Sequence, residues 1–266
     1  MHNINHKPVR ADFIPEDLPA LLLVGGMGTR LRSVVSSKPK PLAPVGDIPF
    51  LELLVLQLRS QGIRRLVMCT GYQAEQVREE FADGRRWGVG IEYSNEPRPL
   101  GTAGAIKFAE QFLAEASDFL VMNGDSFLQF DFREFHRFHR EHGGLASIAV
   151  RSVPDASRYG TVHLDRGNRV IRFSEKMGIQ ESGLINGGVY LFQRAILEHI
   201  PEGPASLEKD VLPGILENGA FALQQNGMFI DIGTPEDYAR AQALFDSLSH
   251  AALLHPQAMS QAQQRP

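Results

Sequence analysis

Leu18-Pro19-Ala20-Leu21-Leu22-Leu23-Val24-Gly25-Gly26-Met27-Gly28-Thr29-Arg30-Leu31 passes from an unbroken apolar run straight into a glycine-rich loop. The apolar run has the pattern of a strand buried on both faces. Gly25, Gly26 and Gly28 let the main chain curl with its N–H groups turned toward a ligand, and Arg30 adds a fixed cation where phosphate oxygens would collect. Lys38-Pro39-Lys40-Pro41 follows shortly after and strengthens a phosphate-binding reading over that of a plain structural turn.

Two common phosphate loops fail on spacing. No Gly-x-x-x-x-Gly-Lys-Ser/Thr string occurs, which excludes the Walker type. A dinucleotide fingerprint is also excluded: Leu31 stands where the third glycine is needed, and no acidic residue closes a second strand about 20 residues later. A nicotinamide-dependent oxidoreductase is disfavoured on that ground.

Outward from this loop, short apolar runs alternate with amphipathic stretches. Strands are predicted near 18–24, 65–70, 89–94, 118–123 and 145–151, and helices over 49–61, 73–81, 103–114 and 131–142, with Gly62 and Gly143 as stops. That alternation predicts an α/β fold: a Rossmann-like, mostly parallel sheet flanked by helices, in a single domain over 18–248. A hairpin is expected over 159–174 and a strand at 184–192. Helices over 207–218 and 235–248 follow, with a strand pair near 220–232 between them. The tails, 1–15 and 250–266, read as loose.

Composition narrows the function. Among 266 residues, 27 Lys and Arg against 31 Asp and Glu give a net charge of −4, so no whole-surface attraction to nucleic acid or anionic membrane is expected. No apolar run is long enough for a membrane span, and the N-terminus lacks the apolar core of a secretion signal, which makes a cytoplasmic location the expectation. Cys69 is the only cysteine and lies in a buried-strand pattern, so it reads as core and excludes disulfides and cysteine-based zinc clusters. His136, His139 and His142 recur along one predicted helix beside Phe132, Phe135 and Phe138; they read as its solvated face rather than as a metal cluster. Neither Gly-x-Ser-x-Gly nor His-Glu-x-x-His occurs, which removes the usual hydrolase signatures.

Two carboxylates draw attention. Asp118-Phe119-Leu120-Val121-Met122-Asn123-Gly124-Asp125 is an apolar strand ending in Asn-Gly-Asp, which puts Asp125 at the carboxyl edge of the sheet, where open α/β folds bind ligands. Asp231 leaves a second apolar run into Gly233-Thr234-Pro235. Each acid also suits a turn or a cap. Together, beside a phosphate loop, they make the donor set with which Mg²⁺ is held: one or two carboxylates plus substrate phosphate oxygens.

In order along the chain, Gly25-Gly26-x-Gly28-Thr29-Arg30-Leu31, Lys38-Pro39-Lys40-Pro41-Leu42, Asn123-Gly124-Asp125, Glu175-Lys176, Asn186-Gly187-Gly188-Val189-Tyr190 and Asp231-x-Gly233-Thr234 resemble the signature of the sugar-phosphate nucleotidyltransferases. The resemblance covers roughly residues 18 to 248, and its specificity lies in the order of six short motifs. It implies the nucleotide-diphospho-sugar transferase fold. The implied reaction is attack by a sugar 1-phosphate oxygen on the α-phosphorus of a nucleoside triphosphate, with pyrophosphate leaving.

The resemblance also implies roles. Arg30 would hold the β- and γ-phosphates, Lys40 would lie near the α-phosphate, and Lys176 would hold the sugar phosphate, these three being the catalytic residues. Gly25, Gly26, Gly28, Thr29, Glu96, Gly101 and Thr102 would bind the nucleotide; a carboxylate at Glu96 can accept two hydrogen bonds from guanine, which favours GTP. Arg158-Tyr159-Gly160, Glu175 and Asn186 fall at sugar-contact positions. Asp125 and Asp231 would share Mg²⁺.

The closest resemblance is to the D-glycero-α-D-manno-heptose 1-phosphate guanylyltransferases, through Pro39 to Val45, Pro99 to Ile106, Ser206 to Asp210 and Ile230 to Tyr238. Mannose 1-phosphate guanylyltransferases share most of these strings, and uridylyl- or thymidylyltransferases belong to the same family. Relatives acting on glucose 1-phosphate often carry Trp where this chain has Phe229. The resemblance stops near residue 250, without the left-handed helical domain that some relatives append, and implies no second activity. A regulatory, nucleotide-sensing relative would be expected to lack Arg30, Lys40, Asp125 or Asp231, and all four are present. The expected partners are a nucleoside triphosphate and a sugar 1-phosphate, with no nucleic acid and no membrane; spacing leaves oligomeric state open, a homo-oligomer included.

Overall fold

The apolar run that opens the chain forms β1 (Pro19–Leu23). The computed structural model describes residues 17–247 except 32, 36, 37, 175–177 and 179, so the two tails, Glu175 and Lys176 lie outside the described residues. After the glycine loop come a single 3₁₀ turn at Lys40–Leu42, a small ribbon of β2 (Pro44–Val45) and β3 (Ile48–Pro49), and helix α1 (Phe50–Ser60). Next are β4 (Arg65–Thr70), α2 (Ala74–Phe81), β5 (Gly90–Asn95), α3 (Gly101–Phe108), β6 (Asp118–Asn123) and β7 (Ser126–Leu128). Beyond them lie α4 (Phe132–His142), β8 (Ala146–Val153), β9 (Thr161–Leu164), β10 (Val170–Ser174), β11 (Gly183–Gln193), β12 (Ala220–Gln224), β13 (Phe229–Asp231) and α5 (Pro235–Ser247).

β1 lies between β4 and β6, and β5 extends the sheet beyond β4, all four parallel. β11 pairs antiparallel to both β6 and β8, and β12 adds parallel to β8. The period-2 alternation of buried strands divides the core between the two faces. Ala20 and Leu22 of β1 join Phe50, Leu54, Val77, Phe135 and Phe245 under α1, α2, α4 and α5. Leu21 faces the other way and joins Val67, Val121, Ile106, Leu207 and Leu212 under α3 and the segment after β11. The expected mixed, mostly parallel sheet flanked by helices is therefore what the chain forms.

Four local expectations are corrected. The helix expected over 207–218 is one π turn at Leu207–Val211 followed by a 3₁₀ turn at Leu212–Ile215, because Pro213 supplies no N–H to an α ladder. The strands near 220–232 do not pair with each other: β12 joins β8, while β13 pairs antiparallel with β7. The helix expected over 103–114 starts earlier and stops at Phe108, with a 3₁₀ turn at Glu110–Leu113. Finally, His139 is not on a solvated face. It is 1 % exposed, with Nδ1 2.9 Å from Ser147 Oγ, and burial lowers its pKa to about 4, so it packs as a neutral ring. Cys69 is buried as expected, its thiol pushed far up by burial and then by Glu96.

One irregularity positions the site. The first part of β11 touches β9 through Ile185 and Thr161, whereas its second part pairs with β6, and the register against β8 slips between Asn186 and Val189. Gly187 and Gly188 form the bulge that makes this change. Gly188 has φ +73°, and a Cβ there would stand 2.6 Å from Ser126 Oγ. Gly188→Ala is therefore expected to cost about 1–3 kcal/mol, lowering the Tm by roughly 3–10 °C in a calorimetric scan.

Candidate active site

The loop after β1 is built by close backbone approach. Gly25 and Gly71 lie so near each other that a Cβ at Gly71 would stand 3.0 Å from the Gly25 carbonyl. Gly28 has φ +57°, and a Cβ there would come within 2.8 Å of Lys40 Cβ. The loop and the Lys-Pro-Lys-Pro segment are thus packed together, and the glycine is needed for both its dihedral and its space. Among the described residues the loop continues as turns and reaches its first helical turn only at Lys40–Leu42, so no helix N-terminus adds its dipole here. Gly26, Gly28, Thr29 and Arg30 line one wall of a cleft of about 790 Å³, and Arg30 is exposed within it.

Lys40, Asp125 and Asp231 meet on the floor of that cleft. Pro39 precedes and Pro41 lies within the 3₁₀ turn that carries Lys40, whose Nζ lies 2.7 Å from Asp125 Oδ2. Asp125 follows the carboxyl end of β6. Asp231 ends β13, opposite Ser126 of β7, and the Ile232 N–H donates to the Asp125 carbonyl at 3.1 Å. Backbone pairing therefore forces two carboxylates into one place. Burial, then the neighbouring Asp125 charge, raises the Asp231 pKa against the opposing pull of Lys40 and of the Gly233 N–H. Asn123 and Ser126, beside this pair, carry buried oxygens with no partner among the described residues.

The opposite wall is formed by Tyr159, Gly160, Thr161, Phe173, Asn186 and Glu208, among others. Asn186 donates from Nδ2 to the Tyr190 hydroxyl at 2.7 Å and accepts from the Gly188 N–H. The Tyr190 hydroxyl donates to Glu208 Oε1 at 3.1 Å, and Glu208 Oε2 accepts from Thr102 and Ser206. Burial, then Glu208, holds the Tyr190 phenol well above its ordinary pKa, so it stays a neutral donor.

Ten expected site residues converge on the cleft: Gly26, Gly28, Thr29, Arg30, Lys40, Asp125, Tyr159, Gly160, Asn186 and Asp231. Gly25, Glu96, Gly101 and Thr102 do not line it. Glu96 Oε2 accepts from the Leu100 N–H at 2.9 Å, its other oxygen lies against Gly25, and burial raises its pKa. At Gly101 a Cβ would stand 2.5 Å from the Ala205 carbonyl, which also accepts from the Ala103 N–H. Thr102 accepts from the Leu207 N–H at 2.7 Å. These two residues join α3 to the π turn. Asn123, Ser126, Ser206, Glu208 and Lys209 were not singled out for the site: Asn123 and Ser126 flank Asp125 in sequence, while only pairing across β11 brings in the Ser206 segment.

The chain belongs to the nucleotidyl transferase family, whose profile matches residues 19–247. It is 40% identical over 227 residues to the D-glycero-alpha-D-manno-heptose 1-phosphate guanylyltransferase of Aneurinibacillus thermoaerophilus, covering 85% of this chain and 97% of that protein. It is 36% identical over 244 residues to the mannose-1-phosphate guanylyltransferase catalytic subunit beta of Xenopus tropicalis, covering 90% of this chain and 67% of the relative. Its fold matches the crystal structure of HddC from Yersinia pseudotuberculosis complexed with GMP-PN with a TM-score of 0.77 at 35% identity, over 86% of this chain and 99% of that one.

The strained carboxylate pair has a signature in stability. A raised folded-state pKa means that the native protein holds the Asp231 proton more tightly than the unfolded chain does. Stability is then lost as pH rises from the ordinary aspartate range through the raised value. Asp231→Asn removes that loss. The variant is expected to melt above the wild type at pH 7.5, with the two converging as pH falls toward about 4 in parallel thermal scans.

Proposed function

We propose that this chain is a sugar-1-phosphate guanylyltransferase, joining GTP and a sugar 1-phosphate to give a GDP-sugar and pyrophosphate, with a heptose 1-phosphate as the favoured sugar. The convergence of Lys40, Asp125 and Asp231 beside the Arg30 loop carries the reading. It offers cations to a triphosphate and paired carboxylates to a metal, with no nucleophilic side chain among them. The identity to the heptose relative over nearly its whole length supports the sugar, and the mannose relatives supply the second reading. Neither proposed ligand needs a membrane: among the described residues no helix is long and apolar enough to cross one. We place the chain in the cytoplasm, in the supply of precursor for lipopolysaccharide or capsule.

The chemistry follows from charge. A phosphate monoester is already ionised at neutral pH, so its oxygen attacks the α-phosphorus without a general base. The new O–P bond forms as the bond to the bridging oxygen breaks, and pyrophosphate departs with its charge. Arg30 and the N–H groups of the glycine loop hold the β- and γ-phosphates, and Lys40 offsets charge that builds at the α-phosphate. On the sugar side, Tyr159, Gly160 and Asn186 set the ring, with Lys176 holding its phosphate. Hard Mg²⁺ fits Asp125 and Asp231: both are oxygen donors, Asp231 is half-buried beside a like charge, and unpartnered oxygens lie alongside. Bound there, the ion would draw the two substrates' phosphates together and offset charge in the transition state.

A colorimetric pyrophosphate assay with each NTP against a panel of sugar 1-phosphates tests the reading. Release is expected with GTP and a manno-configured sugar 1-phosphate in the presence of Mg²⁺. Arg30→Ala and Lys40→Ala should lower turnover by about 10²–10³ with little change in Tm. No release with any pair would refute the enzyme reading, and release with UTP or dTTP but not GTP would refute the base.

A further inference from the structure

Arg158 lies in the segment 154–160 between β8 and β9, next to Tyr159 and Gly160 of the cleft wall, yet its guanidinium does not line the cleft. It turns instead to the first turn of α5. Nη2 lies 2.6 Å from Asp237 Oδ1 and Nη1 lies 3.2 Å from Oδ2, a two-pronged pair. The Asp237 side chain is only 7% exposed, and its oxygens also accept from Thr234 Oγ1 and Arg240. Burial pushes the Asp237 pKa up, but the hydrogen bonds from Arg158, Thr234 and Arg240 outweigh it and hold the carboxyl below its ordinary value. Asp237 is therefore a buried anion whose exposed partner, Arg158, comes from the far side of the cleft.

The two ends of this pair carry different halves of the site. On one side Arg158 also lies over the Tyr159 ring, 5.7 Å from its centre, and Gly160 approaches Ser174, where a Cβ would stand 3.1 Å from the carbonyl. On the other side Asp237 lies in the first turn of a helix that starts three residues after Ile232, directly beyond Asp231, and its N–H donates to Thr234 Oγ1 at 3.2 Å. A second contact runs parallel to the first: the Tyr159 ring meets the Phe229 ring edge-on, centres 6.0 Å apart, and Phe229 lies on β13 with Asp231. Among the described residues β13 itself pairs only with the short β7, outside the main sheet. The wall that faces the sugar is thus fastened to the strand that carries a metal carboxylate.

We propose that the Arg158–Asp237 pair is a positioning clamp that fixes the Tyr159–Gly160 wall against the Asp231 strand, so that Arg158 serves the sugar 1-phosphate site through Asp237 rather than by touching the sugar. This rests on the guanylyltransferase reading for its substrate, but not for the clamp itself. An arginine that touched the sugar would be replaceable by lysine only if charge alone mattered. A clamp needs both prongs, so lysine should restore it in part. Losing the clamp misplaces one substrate of two. It should therefore raise the KM for sugar 1-phosphate and spare that for GTP.

Arg158→Ala, Arg158→Lys and Asp237→Asn are compared with the wild type by steady-state kinetics in each substrate and by hydrogen–deuterium exchange of peptides covering 154–161 and 229–234. Arg158→Ala is expected to raise the KM for sugar 1-phosphate about tenfold with the KM for GTP unchanged, and to speed exchange in both peptides. Asp237→Asn should do the same, and Arg158→Lys should fall between. Unchanged exchange, or faster exchange with both KM values unaltered, would overturn the clamp, as would a lowered Tm with intact kinetics. If the wild type released no pyrophosphate with any pair, the guanylyltransferase reading would fall while exchange still decided whether the clamp holds the wall.

Discussion

Two carboxylates are held side by side by backbone hydrogen bonds, and much of the molecule is arranged around that fact. The pairing of β13 with β7 and the Ile232 N–H bond to the Asp125 carbonyl hold the backbones of Asp125 and Asp231 close together. Burial, and after it the like charge of Asp125, raises the Asp231 pKa. Lys40, drawn to Asp125 at 2.7 Å, offsets part of the repulsion. Such an arrangement does little for stability and fits the proposed role of receiving a cation and phosphate charge together.

The surrounding glycines follow from the same need for close approach. Gly28 makes room for the Lys40 stem, Gly25 and Gly71 bring two strand ends into contact, and Gly188 carries the bulge that passes Ser126. Each marks a point where a side chain would crowd a neighbouring segment. The buried Tyr190 hydroxyl then joins Asn186 on β11 to Glu208 on the π turn, so the Tyr159–Asn186 wall is set by side-chain hydrogen bonds, while the glycine-loop wall is set by close approach of main chain.

The parallel strands were legible because burial on both faces leaves continuous apolar runs, and β4 and β6 lie at the expected residues. Asp125 and Asp231 stood out because a charge at the end of an apolar strand needs a reason, and Arg30 and Lys40 because they are cations in and just after a glycine-rich loop. Contacts that depend on long-range pairing left no local mark. The Glu208 link needs β11 to bulge, and the partners of β12 and β13 lie far away in sequence. His139 misled because histidine among charged residues resembles a solvated face, whereas Ser147 on β8 gives it a buried partner. Arg158 was expected at the sugar, and only the fold reveals the Asp237 carboxylate that takes its guanidinium.

Crystals grown with Mn²⁺, a non-hydrolysable GTP analogue and a sugar 1-phosphate would probe the carboxylate pair directly through the manganese anomalous signal. An anomalous peak within coordinating distance of both Asp125 and Asp231, with Lys40 moved from Asp125 to a phosphate oxygen, is the expected result. A Lys40–Asp125 pair left intact, with manganese bound elsewhere or absent, would contradict it.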